Sequence, residues 1–216
     1  KEYIEIQKYA FRKYKIKTVE NKHTHLVPEE LEQLERLSLT DKHMKLQKSL
    51  DAFLFCCYAG MRYSDFTNLS KKNIVDINQE TWLIYKSVKT GTEVRLPLYL
   101  LFAGKGIVIL NKYRNNLEDF FRLRDNSNIN KDLIIIAKLA GLSKKISFHT
   151  ARHTNATLLI YNGVNITTVQ KLLGHKSVKT TQVYTNIMDM TIVHDLEKIK
   201  QAALGIKKKT DNSFNK

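Results

Sequence analysis

The chain has 216 residues, 43% of them hydrophobic, and its 36 Lys and Arg outnumber 21 Asp and Glu for a net charge of +15. This length and apolar content exclude wholesale disorder and suit one generous domain, or one domain with a small appendage. No apolar run approaches the roughly 18 residues of a membrane span, and the charge surplus points to an anionic partner, most often nucleic acid.

Residue 1 is Lys, and no secretory pattern of basic flank, apolar stretch and small cleavage residues follows it. The chain reads as a fragment of a longer intracellular protein. The first dozen residues suit the end of a helix from an upstream domain, and 15–25 suit a polar linker. Pro28 followed by Glu29 and Glu30 marks a helix start, because proline is tolerated in the first turn and acids suit the positive end of the helix dipole. A longer helix is expected from Asp41 to Tyr58, with Leu46, Leu50, Phe53, Leu54 and Cys57 on helical spacing and Gly60 as its stop. The adjacent Cys56 and Cys57 read as small buried hydrophobes rather than a disulfide framework or a zinc site. A short helix follows from Ser64 to Leu69.

Three β-prone runs come next, Ile74 to Ile77, Trp82 to Val88 and Glu93 to Tyr99, with Thr90-Gly91 as a hairpin turn. They predict a small antiparallel sheet. Helical patterns then return over Asn130 to Ala140, Phe148 to Tyr161, Ile166 to Leu173 and Asp189 to Ala203, each closed by a glycine. The last ten residues read as a charged, unstructured tail. The expected fold is α+β, mainly α-helical, with one small three-stranded antiparallel sheet.

The chemistry concentrates in a few segments. His149 and Arg152 are three apart on one helix face, His175 follows a glycine at a helix end, and Tyr184 comes nine residues later. Upstream, Arg62 follows Gly60-Met61, and Lys89 sits on the hairpin. Two arginine forks together bind one phosphodiester and neutralise the charge developing on its oxygens. A tyrosine hydroxyl in such a positive field is a better nucleophile. Lysine hands a proton to a departing alkoxide, and histidines shuttle protons or donate to the phosphate. The set amounts to a phosphoryl-transfer site with a covalent intermediate. From Lys144 to Met188 there is no Asp or Glu, so no side-chain carboxylate of this stretch holds a hard cation. His149 and His153 mimic two zinc ligands on a helix, but Thr150 replaces the zincin glutamate and Arg152 lies between them. His153 and His194 are read as structural.

In order along the chain, GMRYSD around Arg62, HTARHT around His149 and Arg152, and LLGHKSVKTTQVYTN around His175 and Tyr184 resemble the catalytic domain of the tyrosine recombinase, or phage integrase, family. In detail the motifs are similar to those of bacterial mobile-element integrases. The resemblance spans Thr24 to Ala202. It implies the fold of DNA breaking-rejoining enzymes, with residues 1–23 ending an upstream core-binding domain and its linker, 24–204 the catalytic domain and 205–216 a basic flexible tail. It implies that Tyr184 attacks the scissile phosphate, giving a 3′-phosphotyrosine and a free 5′-hydroxyl, while Arg62 and Arg152 clamp the phosphate. Lys89 would be the general acid, His149 would assist proton transfer on the nucleophile side, and His175 would hydrogen-bond the phosphate. Asp65 stands where many relatives carry Glu, as a structural acid near Arg62, and Ala151 where Leu is common. Neither metal nor cofactor is expected. The implied partners are double-stranded recombination sites, further copies of the chain in a tetramer on DNA from a free monomer, and accessory DNA-bending proteins. The implied location is the bacterial cytoplasm, at the nucleoid when acting. The helix from Asp189 to Ala203 is expected to pack on a neighbouring protomer. Two other readings use the same residues: a DNA-binding module with a decayed site, and a type IB topoisomerase.

Overall fold

The computed structural model describes residues 24–184. The segment 1–23, the expected helix from Asp189 to Ala203, His194 and the tail lie outside the described residues. The first helix, α1 (Pro28–Glu35), begins at the expected proline. Val27 brings no capping side chain, but the Glu30 carboxylate reaches back to accept the Val27 N–H at 3.0 Å, one half of a capping box.

The expected long helix is two pieces, a 3₁₀ segment at Asp41–Leu46 and then α2 (Gln47–Ala59). The His43 N–H bonds to the Thr40 carbonyl three residues back, which winds the first turn tighter than an α-helix. α2 is buried from Ser49 to Ala59 and forms the axis of the core. Its strongest partner is α7 (Phe148–Tyr161). Around Phe66 a set of aromatic rings closes, with Phe55, Phe120, Phe121 and Phe148 at centroid distances of 5.3–6.2 Å. Each such ring, almost wholly out of water, contributes roughly 1.5–3 kcal/mol of transfer free energy.

After α3 (Tyr63–Thr67) the chain forms an antiparallel sheet in the order β1 (Ile74–Ile77), β2 (Glu80–Lys86), β3 (Glu93–Pro97). The Leu83↔Leu96 and Tyr85↔Val94 pairs put alternate residues onto the core. β2 starts two residues earlier than the apolar pattern predicts. Asn78 and Gln79 both take positive φ, 53° and 67°, and close a two-residue turn that pairs Ile77 with Glu80. β2 also stops earlier, because the Val88 N–H donates to Asp65 rather than to a strand. β3 ends at Pro97, which has no N–H for the ladder.

Helices α4 (Lys105–Lys112), α5 (Leu117–Phe121) and α6 (Asn126–Leu139) follow. α6 begins four residues before its expected start, since the Asp125 carboxylate accepts the Asn128 N–H at 3.0 Å and caps the helix there. Then come α7, α8 (Ile166–Leu172) and a short α9 (Lys179–Gln182). Among the described residues, no helix is long and apolar enough to cross a membrane.

Candidate active site

The site forms where the ends of α2 and α8, the β2–β3 hairpin and one face of α7 meet. α2 stops at Gly60, which takes φ +66°. A Cβ there would stand 2.6 Å from the Asn155 Oδ1 and 2.8 Å from Leu173. Buried Asn155 donates to the carbonyls of Cys57 and Tyr58 at 2.9 Å, satisfying orphan carbonyls of the helix end. This docks the end of α2 against α7.

Arg152, 1% exposed, uses that junction. Its Nη1 donates to the Gly60 carbonyl and its Nη2 to the Leu173 carbonyl, each at 2.6 Å. Two bonds to fixed backbone hold the guanidinium plane, and three of its five N–H donors are left for a ligand. Burial, and secondarily the charge of Arg62, lower its pKa to about 10. It therefore stays cationic at neutral pH.

Arg62 lies two residues beyond Gly60. Its Nη1 donates to the Ser87 hydroxyl at 3.2 Å and stands 3.5 Å from an oxygen of Asp65. The Asp65 carboxylate is fully buried and also accepts from the Ser87 hydroxyl at 3.3 Å and the Val88 N–H at 2.8 Å. One carboxylate thus ties the Arg62 segment to Ser87 and Val88, which lie between the end of β2 and Lys89. Lys89 itself is exposed on the turn. The turn is pinned from the other side by Thr90, whose hydroxyl donates to the Gly174 carbonyl at 3.1 Å.

His175 follows Gly174, which takes φ +62° and would place a Cβ 2.6 Å from Val94. The His175 Nδ1 pairs with the Thr181 hydroxyl at 2.9 Å. Burial first, then the positive charges of Arg152 and Arg62, with His149 and Lys89 behind them, push its pKa down to about 4. His175 is neutral at physiological pH, and a neutral imidazole still donates one hydrogen bond.

Tyr184 is 3% exposed and docked inside the cluster. Burial raises its pKa, against the opposing pull of Arg152 and Arg62. In this arrangement the phenol keeps its proton. The hydroxyl lies 3.1 Å from the Nδ1 of His153. The ring of His149, exposed at the rim, stacks edge-on against that of His153 at 4.4 Å.

The six residues expected from sequence, Arg62, Lys89, His149, Arg152, His175 and Tyr184, thus converge on one cluster. Arg62, Lys89, His149 and Arg152 all act on His175, and Arg62 and Arg152 also act on Tyr184. His153, read from sequence as structural, is buried with its ring facing the tyrosine hydroxyl. Spacing points to it: Tyr184 packs over α7, and residues 149 and 153 stand one turn apart on that helix. Ser87, Thr90 and Thr181 also entered the site unannounced, because only the fold brings them near. Among the described residues, no group of three or more His, Cys, Asp or Glu is placed to hold a metal ion.

Comparison with known proteins follows the same lines. The model of the phage integrase family matches residues 25–190. A tyrosine recombinase of Pseudothermotoga lettingae is 30% identical over 181 residues, covering 82% of this chain and 60% of the relative. The crystal structure of XerA recombinase superposes with a TM-score of 0.63 at 26% identity, covering 82% of this chain and 66% of that one. A lambda integrase tetramer bound to a Holliday junction shares the fold, with a TM-score of 0.60 at 19% identity over 77% of this chain and 49% of that one. The chain spans about half to two-thirds of the length of these proteins.

Proposed function

The chain belongs to the phage integrase family, and from that membership we propose that it cleaves and rejoins DNA at specific sites through a 3′-phosphotyrosine intermediate. The observation that carries the reading is the docked phenol of Tyr184 beside two buried or half-buried arginines. Tyr184 Oη attacks the scissile phosphorus, the bond from phosphorus to the 5′-oxygen breaks, and the Lys89 ammonium supplies the proton for that oxygen. Arg62 and Arg152 neutralise the non-bridging oxygens, where fixed donors in a site shielded from water act most strongly. His175 donates to the same phosphate, and His149 assists proton transfer on the nucleophile side. Rejoining is the reverse attack by another 5′-hydroxyl. The energy of the broken bond is held in the phosphotyrosine, so the exchange draws on no nucleotide cofactor.

The partner is double-stranded DNA, supported by the +15 charge and by the junction-bound tetramer of the lambda integrase neighbour. We propose assembly of this protein as a tetramer on paired sites, with accessory DNA-bending proteins, in a bacterial cytoplasm. We further propose that the exchange integrates or excises a mobile element, as the detail of the GMRYSD and LLGHKSVKTTQVYTN motifs suggests. Recombination between the ends of the element that carries the gene, and not between two copies of an unrelated chromosomal site, is the expected outcome of a plasmid assay.

The test of the chemistry is covalent trapping. Wild type and Tyr184→Phe are mixed with nicked duplexes drawn from DNA flanking the gene and run on a denaturing gel. A protein–DNA band in wild type alone is expected. Equal, salt-sensitive binding by both proteins without a band would favour the binding-module reading. Relaxation of supercoiled DNA at many sequences by a single protomer would favour the topoisomerase reading.

A further inference from the structure

Tyr184 must lose a proton to attack, and the arginines alone do not remove it. Burial holds the phenol protonated in the docked state, so a base within reach of Oη is needed. His149, the residue the motif suggests for this side, lies at the exposed rim. The group that meets the hydroxyl is His153, its Nδ1 3.1 Å from Oη and its ring centroid 5.5 Å from that of the tyrosine. His153 is 6% exposed and held on the rigid frame of α7.

We infer that His153 is a catalytic residue of this reaction, its Nδ1 taking the Tyr184 proton as Oη bonds to phosphorus. The inference rests on the reading of Tyr184 as the nucleophile. Atoms balance within the site. The phenolic proton moves to the Nδ1 of His153 and Oη forms its bond to phosphorus. The 5′-oxygen leaves with a proton from Lys89. When a 5′-hydroxyl attacks the phosphotyrosine, the departing phenolate takes the proton back from His153. The tautomer required carries its hydrogen on Nε2, leaving Nδ1 as the acceptor. His149, packed edge-on against the same ring, acts through His153. Tyr184, from the chain after α9, and His149, one turn earlier in α7, both face the ring of His153. Arg62 and Arg152 set the field on the hydroxyl, with His175 and Lys89 in the same cluster.

The test compares cleavage rates of the full chain on nicked duplexes from pH 5 to 9. His153→Asn keeps a hydrogen-bonding group near the Nδ1 position but does not accept a proton in this range. His153→Gln serves as a second variant, and DNA affinity and thermal midpoint report folding. Wild type is expected to gain rate as pH rises through the histidine range. His153→Asn should lose roughly 10²–10⁴-fold and lose that rise, with DNA affinity unchanged. A substrate with sulfur in place of the bridging 5′-oxygen needs no proton on its leaving group. It should rescue Lys89→Ala and leave the His153→Asn deficit in place. Wild-type rates in His153→Asn, a slower variant that keeps the acid-side rise, or rescue by the sulfur substrate would each overturn the assignment. Absence of covalent product in wild type would instead overturn the recombinase reading on which it stands.

Discussion

At the scale of single residues, the charges of the site are held in place by buried neighbouring groups. Asp65 is the clearest case, since one buried carboxylate serves Arg62, Ser87 and the Val88 N–H. Removing one partner of a buried pair leaves the other uncompensated. Asp65→Ala is therefore expected to lower stability by roughly 3 kcal/mol in urea denaturation and to loosen the hairpin that carries Lys89. Unchanged stability would show that water replaces the carboxylate. His175 gives a pH prediction. Its folded pKa of about 4 lies below the ordinary histidine value near 6.5. Between these values the unfolded chain binds the proton and the folded chain does not. The His175 contribution is thus fully present above about pH 6.5 and is lost as pH falls towards 4. Urea midpoints measured between pH 7 and 5 should decline in wild type and decline less in His175→Asn.

At the scale of elements, two helix ends place the arginine clamp and His175, and each end turns on a left-handed glycine. Gly60→Ala and Gly174→Ala must bear both a positive φ and a clash at 2.6 Å, with Asn155 and Val94 respectively. Gly141 also has positive φ, yet nothing lies within 4 Å of its would-be Cβ. The expected costs are roughly 3 kcal/mol for each of the first two and about 1 kcal/mol for Gly141→Ala. Thermal or chemical denaturation of the three variants checks the ranking. These elements also show what the sequence disclosed. α7, from Phe148 to Tyr161, and β1 were legible to the residue, because capping signals and apolar periodicity agree there. The β1–β2 turn was not, since Asn78-Gln79 lacks the glycine that announces such a turn. The break at Leu46 was hidden because a 3₁₀ turn and an α-helix share nearly the same apolar spacing. Five of the six expected site residues stand in distinctive short segments, and Lys89 was placed by the Thr90-Gly91 hairpin turn beside it. The contact of His153 with Tyr184 was not legible, because the two are 31 residues apart and meet only in the fold.

At the scale of the molecule, the +15 charge and the site both fit the proposed function. Exposed Lys176 and Lys179 follow His175 in the chain, and the proposed function sets them against the DNA backbone. Replacing both with alanine should weaken binding to any duplex about equally. It should also lower the slope of log affinity against log salt by about 1 for each phosphate no longer neutralised. A sequence-dependent loss of affinity at unchanged salt slope would place base recognition there instead. The central claim is that Tyr184 becomes covalently joined to a 3′-phosphate of DNA. The most direct measurement is mass spectrometry of the peptide carrying the nucleotide, after proteolysis of wild-type protein trapped on a nicked duplex in the presence of chelator. The account predicts a single adduct at Tyr184 with a free 5′-hydroxyl on the other strand end. An adduct on another residue, a 5′-phosphate linkage, or tight DNA binding with no adduct would contradict it.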